Sequence, residues 1–121
     1  TGETGIQGTQ GTQGAQGAAG SDIRLKKNIR EFKDGIEVLQ NINPVFYNWN
    51  GLMGYTDIYD DIVGIIGNEL ERYMPYAINR KTGYLYPQGT DSQIIDFDLS
   101  AIVYTLVNAV KQLKKELDSI E

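Results

Sequence analysis

A serine and a lysine stand five residues apart where the sequence changes character. Ser21 and Lys26 can together carry out acyl transfer, because a neutral lysine amine can take the proton of a serine hydroxyl and make it a nucleophile. The chain contains no His and no Cys, so the commonest general base and any thiolate metal site are absent. Catalysis by this chain must therefore use Ser, Lys, Tyr, Asp or Glu.

A lysine accepts a proton only when it is neutral, which sets a condition on Lys26. Its ammonium is charged in water, so the folded assembly must bury it, and the nearby positive charges of Arg24 and Lys27 would favour the neutral form further. We expect peptide-bond cleavage to be inactive before the chains assemble and active afterwards. Asn28 or backbone N–H groups could stabilise the oxyanion, and Glu69 could orient Lys26 or Arg24.

Two peptide bonds around Ser21 are candidates for cleavage. Attack on the Gly20 carbonyl is an N-to-O acyl shift and splits the bond between Gly20 and Ser21. A cut between Ser21 and Asp22 would need a strained four-membered ring if Ser21 attacked its own carbonyl, so it requires another geometry or another subunit. Non-catalytic interpretations are also open: Ser21 could be a helix N-cap, and Lys26 could lie on a solvated helix face.

A strict glycine repeat precedes this site. A glycine at every third position is what a collagen triple helix requires, because only hydrogen fits at its axis. The segment has no proline, so little pre-sets its extended conformation and six triplets should not stay trimeric alone. We therefore predict a collagen-like segment over residues 1–20 and a trimerising domain over residues 21–121. The glycines are Gly2, Gly5, Gly8, Gly11, Gly14, Gly17 and Gly20.

The last part of the chain has the clearest pattern, a heptad repeat that predicts a helix with one apolar seam. β-Branched residues at a with Leu at d favour two strands, but the collagen-like segment demands three, so a three-helix coiled coil is expected. The alternative is a helix packed on its own domain. Asp98 is a plausible N-cap, and Ser100 could serve instead. The seam consists of Val103, Val110 and Leu117 at a, and Leu99, Leu106, Leu113 and Ile120 at d.

Between site and seam, the pattern predicts mixed helices and strands. The spacing of Leu25, Ile29, Phe32, Ile36 and Leu39 predicts a helical face, interrupted at Asp34-Gly35, with Asp34 capping residues 36–40. Strands are predicted over 45–49, 62–66 and 94–97, a turn at 50–51, a short helix within 68–73, and a protruding hairpin over 76–86 that turns at 82–83. The expected fold is α+β.

Four blocks of residues resemble the intramolecular chaperone domain of phage tail spikes and fibres, the S74 peptidase family. They occur in the family's order: the opening Ser-Asp-x-Arg-x-Lys-x-Asn-Ile signature, a Pro-Val-x-Tyr-x-Trp block, a Gly-x-Ile-Ala-Gln-Glu block, and a Val-Asp-Tyr block before a terminal helix. Gly67 and Asn68 depart from the usual Ala and Gln. The blocks here are residues 21–29, 43–49, 63–69 and 95–97.

The resemblance implies a homotrimer that promotes folding of an upstream fibre and then releases itself at the opening serine. It points to Ser21 and Lys26 as the catalytic pair, with Asp22, Arg24, Asn28 and Glu69 as accessory candidates, and to a place on a virion fibre or tail appendage. The expected partners are two identical chains and the collagen-like fibre. A trimerisation cap that never cuts and a receptor-binding fibre tip remain alternatives.

Composition excludes several other classes. The net charge of −5 argues against nucleic acid or an anionic membrane as a partner, and no apolar run approaches membrane-spanning length. No cofactor or metal is expected. Asp57, Asp60 and Asp61 fit no cation-binding loop motif and are interpreted as a solvated acidic loop.

Overall fold

The computed structural model describes residues 18–86, Gly89 and residues 91–120. The chain divides into two compact units, Thr1–Phe32 and Lys33–Glu121. Helices and short antiparallel sheets make up the second unit, which confirms the expected α+β class. The predicted collagen-like segment lies outside the described residues up to residue 17, and its last triplet falls within a 3-10 turn, Ala18–Ser21. The predicted boundary between residues 20 and 21 stays a prediction.

The first unit has no α-helix within its described residues, 18–32. A second 3-10 turn, Ile23–Leu25, follows the first, and the chain then continues without regular structure. Asn28 adopts a left-handed conformation with φ of 54°, which a right-handed helix cannot include. The prediction of a helix from Leu25 to the break at Asp34-Gly35 is therefore wrong, whereas the short helix predicted over 36–40 is confirmed by Ile36–Leu39.

The described residues of the second unit form two separate two-stranded antiparallel sheets, β1 with β2 and β3 with β4. The first sheet confirms the strands predicted over 45–49 and 62–66, and Asn50-Gly51 turns as expected, with Gly51 at φ +90°. The elements are α1 (Ile36–Leu39), β1 (Val45–Tyr47), β2 (Ile62–Gly64), α2 (Gly67–Leu70), β3 (Ile78–Gly83), β4 (Ser92–Phe97) and α3 (Leu99–Asp118).

The predicted hairpin over residues 76–86 is wrong in its pairing. Thr82 and Gly83, the expected turn, are instead the last two residues of strand β3, which pairs with β4 with Ile78 opposite Phe97 and Gly83 opposite Ser92. Asn79 to Thr82 is a polar run with low strand propensity, so the pattern hid the strand. Its backbone pairing with β4 holds this run extended.

The buried core of the described residues is small. Leu70, Met74, Ala77 and Ile102 form its centre, so α2, the turn that follows it and α3 meet there. Val38, Ile42, Ile65, Ile78, Phe97 and Ala101 pack around these four. Within the described part of the chain, no helix has the length and apolar character that a membrane span needs.

Helix α3 begins where predicted, because Asp98 is its N-cap. The Asp98 carboxylate accepts hydrogen bonds from the Ser100 backbone N–H at 3.0 Å and from the Ser100 hydroxyl at 2.6 Å. This satisfies one of the N–H groups that a helix start leaves unpaired.

Polar contacts hold α3 against the start of α1. The Gln112 side-chain oxygen accepts a hydrogen bond from the Ile36 N–H at 2.8 Å, and the Asn108 amide donates to the Asp34 carbonyl at 2.9 Å. The expectation that Asp34 caps this helix is wrong, because its carboxylate accepts a hydrogen bond from the Tyr76 hydroxyl instead. Gly35 lies close by, where a Cβ would come within 2.5 Å of the Gln112 oxygen.

We expect Gln112→Ala to destabilise the domain by about 1–3 kcal/mol, because the partly buried Ile36 N–H loses its acceptor. Chemical denaturation of the full chain measures this free energy of unfolding. Gln40→Ala is the matched control, since Gln40 is exposed at the end of α1, and its effect should be within about 0.5 kcal/mol of zero. Equal effects of the two variants would contradict the role given to Gln112.

Candidate functional site

Ser21 ends the 3-10 turn Ala18–Ser21, and its side chain is exposed. The next residue, Asp22, is the N-cap of the following turn and accepts a hydrogen bond from the Arg24 N–H at 2.9 Å. The N-cap role considered for Ser21 therefore belongs to Asp22. Among the described residues, nothing is hydrogen-bonded to the Ser21 hydroxyl, which leaves it available for chemistry.

Asp22 and Arg24 form a two-point ion pair across this turn. The Arg24 Nε donates to Asp22 Oδ1 at 3.1 Å and its Nη2 donates to Oδ2 at 2.8 Å. The hydrogen bonds from the Arg24 side chain and backbone lower the pKa of the Asp22 carboxyl, and the pair raises the pKa of Arg24. Both side chains are exposed to solvent, so the pair stabilises the turn only modestly.

Lys26 closes the turn with its backbone and leaves its side chain free. Its N–H donates to the Ile23 carbonyl at 3.1 Å, while its exposed ammonium makes no ion pair or hydrogen bond with any described residue. The side chain of Asn28 is also exposed, and its carbonyl accepts from Arg30 at 2.9 Å. A single chain thus carries the candidate nucleophile and the candidate base on one short segment, without a contact between them.

Glu69, the remaining accessory candidate, lies on α2 in the second unit and is exposed. Its backbone N–H donates to the Ile66 carbonyl at 3.1 Å. Its carboxylate has no hydrogen-bond or ion-pair partner within residues 18–86, 89 and 91–120, whereas Arg24 is already paired with Asp22. The orienting role expected for Glu69 stays a prediction.

Helix α3 packs on its own domain with one face and leaves the predicted seam open. Ile102, Thr105 and Ala109 are buried, at 7%, 0% and 2% exposure. Every residue of the seam is between 44% and 72% exposed. The alternative of a helix packed on its own domain thus holds for the buried face of α3, and the three-helix coiled coil stays a prediction. An exposed apolar stripe of this length is typical of an association surface.

The sequence analysis did not identify two exposed apolar residues beside the seam. Tyr104 and Val107 are 62% and 48% exposed and follow the a position Val103 at heptad positions b and e. They were not identified because the repeat was analysed only at its a and d positions. The signal that could have found them is the change of the same two positions to lysine, at Lys111 and Lys114, one heptad later.

Residues 21–79 match the family described as chaperone of endosialidase, the S74 peptidase family. This segment is similar to that family, and the match begins at Ser21. No curated protein matches the chain.

The family supports an intramolecular chaperone role and suggests autoproteolytic activity. It is associated with phage tail proteins, which is consistent with a virion appendage.

The Asp22–Arg24 pair gives the site a testable pH dependence. Because the pKa of Asp22 is lowered, the pair is intact at neutral pH and is lost only as the pH falls through that lowered value. We expect Arg24→Gln to raise the pKa of Asp22, measured by carboxyl NMR titration. Lys27→Gln removes a neighbouring charge without a hydrogen bond and should shift it far less. Equal shifts would contradict the direct pairing.

Proposed function

We propose that this chain is an intramolecular chaperone that associates as a parallel homotrimer, aligns three collagen-like strands and then releases itself by cutting at Ser21. The observation that carries the proposal is the open seam of α3, since a heptad stripe at 44% to 72% exposure needs partner helices. The family match supports the chaperone part of the proposal.

The number of chains follows from the strands that have to be aligned. A triple helix needs three chains, and the glycine repeat before Ser21 contains no proline to pre-set its conformation. Parallel association of three α3 helices brings three such segments together in the same register. That reduces the chain entropy that six triplets would otherwise have to overcome.

The cut requires Ser21 as nucleophile and Lys26 as base. The neutral Lys26 amine takes the hydroxyl proton while Ser21 Oγ attacks a carbonyl carbon, and the same proton then passes to the leaving amine. Attack on the Gly20 carbonyl breaks the bond to the Ser21 nitrogen and leaves an ester, which water hydrolyses. A cut between Ser21 and Asp22 would use the hydroxyl of another chain, because the ring within one chain is too small.

Assembly is the step that turns the reaction on. In one chain the Lys26 side chain is exposed and does not contact the Ser21 hydroxyl, so base and nucleophile are not yet joined. Burial among three chains would favour the neutral amine and bring base and nucleophile together. The exposure of both groups in a single chain supports this order of events.

A cap that trimerises and never cuts is the second candidate. It is favoured by one observation, that the described residues do not join Ser21 to Lys26 by a hydrogen bond. The two candidates share the seam and differ only in the covalent state of the mature chain.

For the seam, we expect Val110→Asp to weaken trimer formation by at least about tenfold, because an unpaired carboxylate in an apolar interface costs more than about 1.4 kcal/mol. Sedimentation equilibrium of the full chain measures the association. Lys111→Asp is the control, since Lys111 is exposed beside Val110 but outside the seam. A wild-type chain that sediments as a monomer at micromolar concentration would overturn the trimer.

For the cut, intact mass spectrometry after refolding should show a shortened product in wild type and only the 13.5 kDa chain in Ser21→Ala and Lys26→Met. The new N-terminus, Ser21 or Asp22, identifies the bond. Lys27→Met is the matched control and should still be cut. Full-length wild type that is indistinguishable from Ser21→Ala would sink the peptidase role and leave the cap. Equal cleavage rates in wild type and Val110→Asp would contradict gating by assembly.

A further inference from the structure

The first half of α3 exposes more apolar surface than a coiled-coil seam can cover. Tyr104 and Val107 stand at heptad positions b and e and are 62% and 48% exposed. In the second half the same positions hold Lys111, Lys114 and Asp118, and the last two form an ion pair at 2.7 Å. A three-helix seam buries positions a and d, so the first half of α3 needs an additional apolar partner.

The described residues of Lys33–Glu121 leave these two side chains uncovered, because they pack on the opposite flank of α3. Ile102 and Ala109 stand at g and Thr105 at c, and these are the residues that α3 buries against its own domain. Around the helix, the order is therefore own domain, then the seam, then the open flank with Val107 and Tyr104. The two apolar flanks lie on either side of the seam.

The domain that packs on the g flank carries an apolar groove at the level of the first turn of α3. The groove has a volume of about 600 Å³, and Leu99, the first residue of the seam, forms part of its wall. Leu99 thus belongs both to the seam and to the groove, so the two surfaces are continuous. Other lining residues are Tyr47, Trp49, Ile66 and Phe97.

In a parallel coiled coil, the e flank of each helix faces the g flank of the next helix. Because each g flank carries its own domain, the open flank of one copy faces the domain of its neighbour. We infer that Tyr104 and Val107 of each chain dock into the groove of the next chain, which closes the trimer with a second ring of head-to-tail contacts. This inference rests on the proposed parallel trimer and names a further surface that holds it together.

Chemical cross-linking tests the contact directly, because the chain contains no cysteine and a single introduced thiol is unique. Tyr104→Cys places a thiol on the open flank, and Asn68→Cys places one at the exposed rim of the groove. The two single variants are mixed, refolded together and treated with a short bis-maleimide. We expect a covalent dimer in the mixture and a covalent trimer in the double variant on a denaturing gel.

Lys115→Cys in place of Tyr104→Cys is the matched control, since it is exposed on the same helix but lies near its far end and should give no product with Asn68→Cys. Sedimentation of the unlinked chains is measured in parallel. A trimer whose Tyr104→Cys and Asn68→Cys chains do not link overturns the groove contact and leaves the seam intact. If the double variant cross-links only within each chain and gives no covalent trimer, the groove contact is also overturned. A monomeric wild type overturns the seam and the groove contact together.

Fluorescence gives a second readout that does not depend on cross-linking. Trp49 is the single tryptophan of the chain, lines the groove and stacks on Tyr55 with ring centroids 4.1 Å apart. We expect Val107→Lys to shift Trp49 emission to the red and to weaken association at least about tenfold, as expected for losing a buried Val side chain. Emission that is unchanged between wild-type trimer and Val107→Lys overturns the proposed docking.

Discussion

Helix α3 has two apolar faces, one that packs in the core of its own chain and one that stays exposed. Its buried face, Ile102, Thr105 and Ala109, completes the core of its own chain, while the seam points away from that core. Few other described side chains are fully buried, so the core of a single chain supplies little apolar burial for its size. The stability that one chain lacks is available from association, because any partner that binds only the folded form shifts the folding equilibrium.

Directional contacts determine which face of α3 points outward. An apolar stripe alone would let the helix rotate, since dispersion and burial are not directional. Gln112 and Asn108 prevent this, because each hydrogen-bonds to a backbone group next to Gly35, at Ile36 and at Asp34. Gly35 has to lack a side chain there, because a Cβ would collide with Gln112. The polar contacts within one chain thus prepare the surface that other chains would use.

The sequence pattern predicted the elements that depend on neighbouring residues and failed for those whose conformation depends on contacts distant in the sequence. The helix from Leu99, its Asp98 cap and the first sheet follow from heptad spacing, capping and alternation, which are local. Strand β3 was missed because its polar run is extended only by pairing with β4. At the site, the pattern identified Ser21 and Lys26 as residue types, but it did not reveal that Arg24 pairs with Asp22. It could not show how Ser21 and Lys26 meet, since under the proposed mechanism other chains complete the site.

The choice of base links the chemistry to the assembly. A histidine in water is partly neutral near pH 7, with a pKa of about 6.5, so a Ser–His pair would have a working base before the chains associate. A lysine in water is almost entirely charged at that pH, with a pKa of about 10.4, and becomes a base only when it is desolvated. The chain has no histidine, and Lys26 is exposed in a single copy. Because burial of Lys26 and burial of the seam would both come from the same association, a chain that failed to align its strands would also fail to cut itself free.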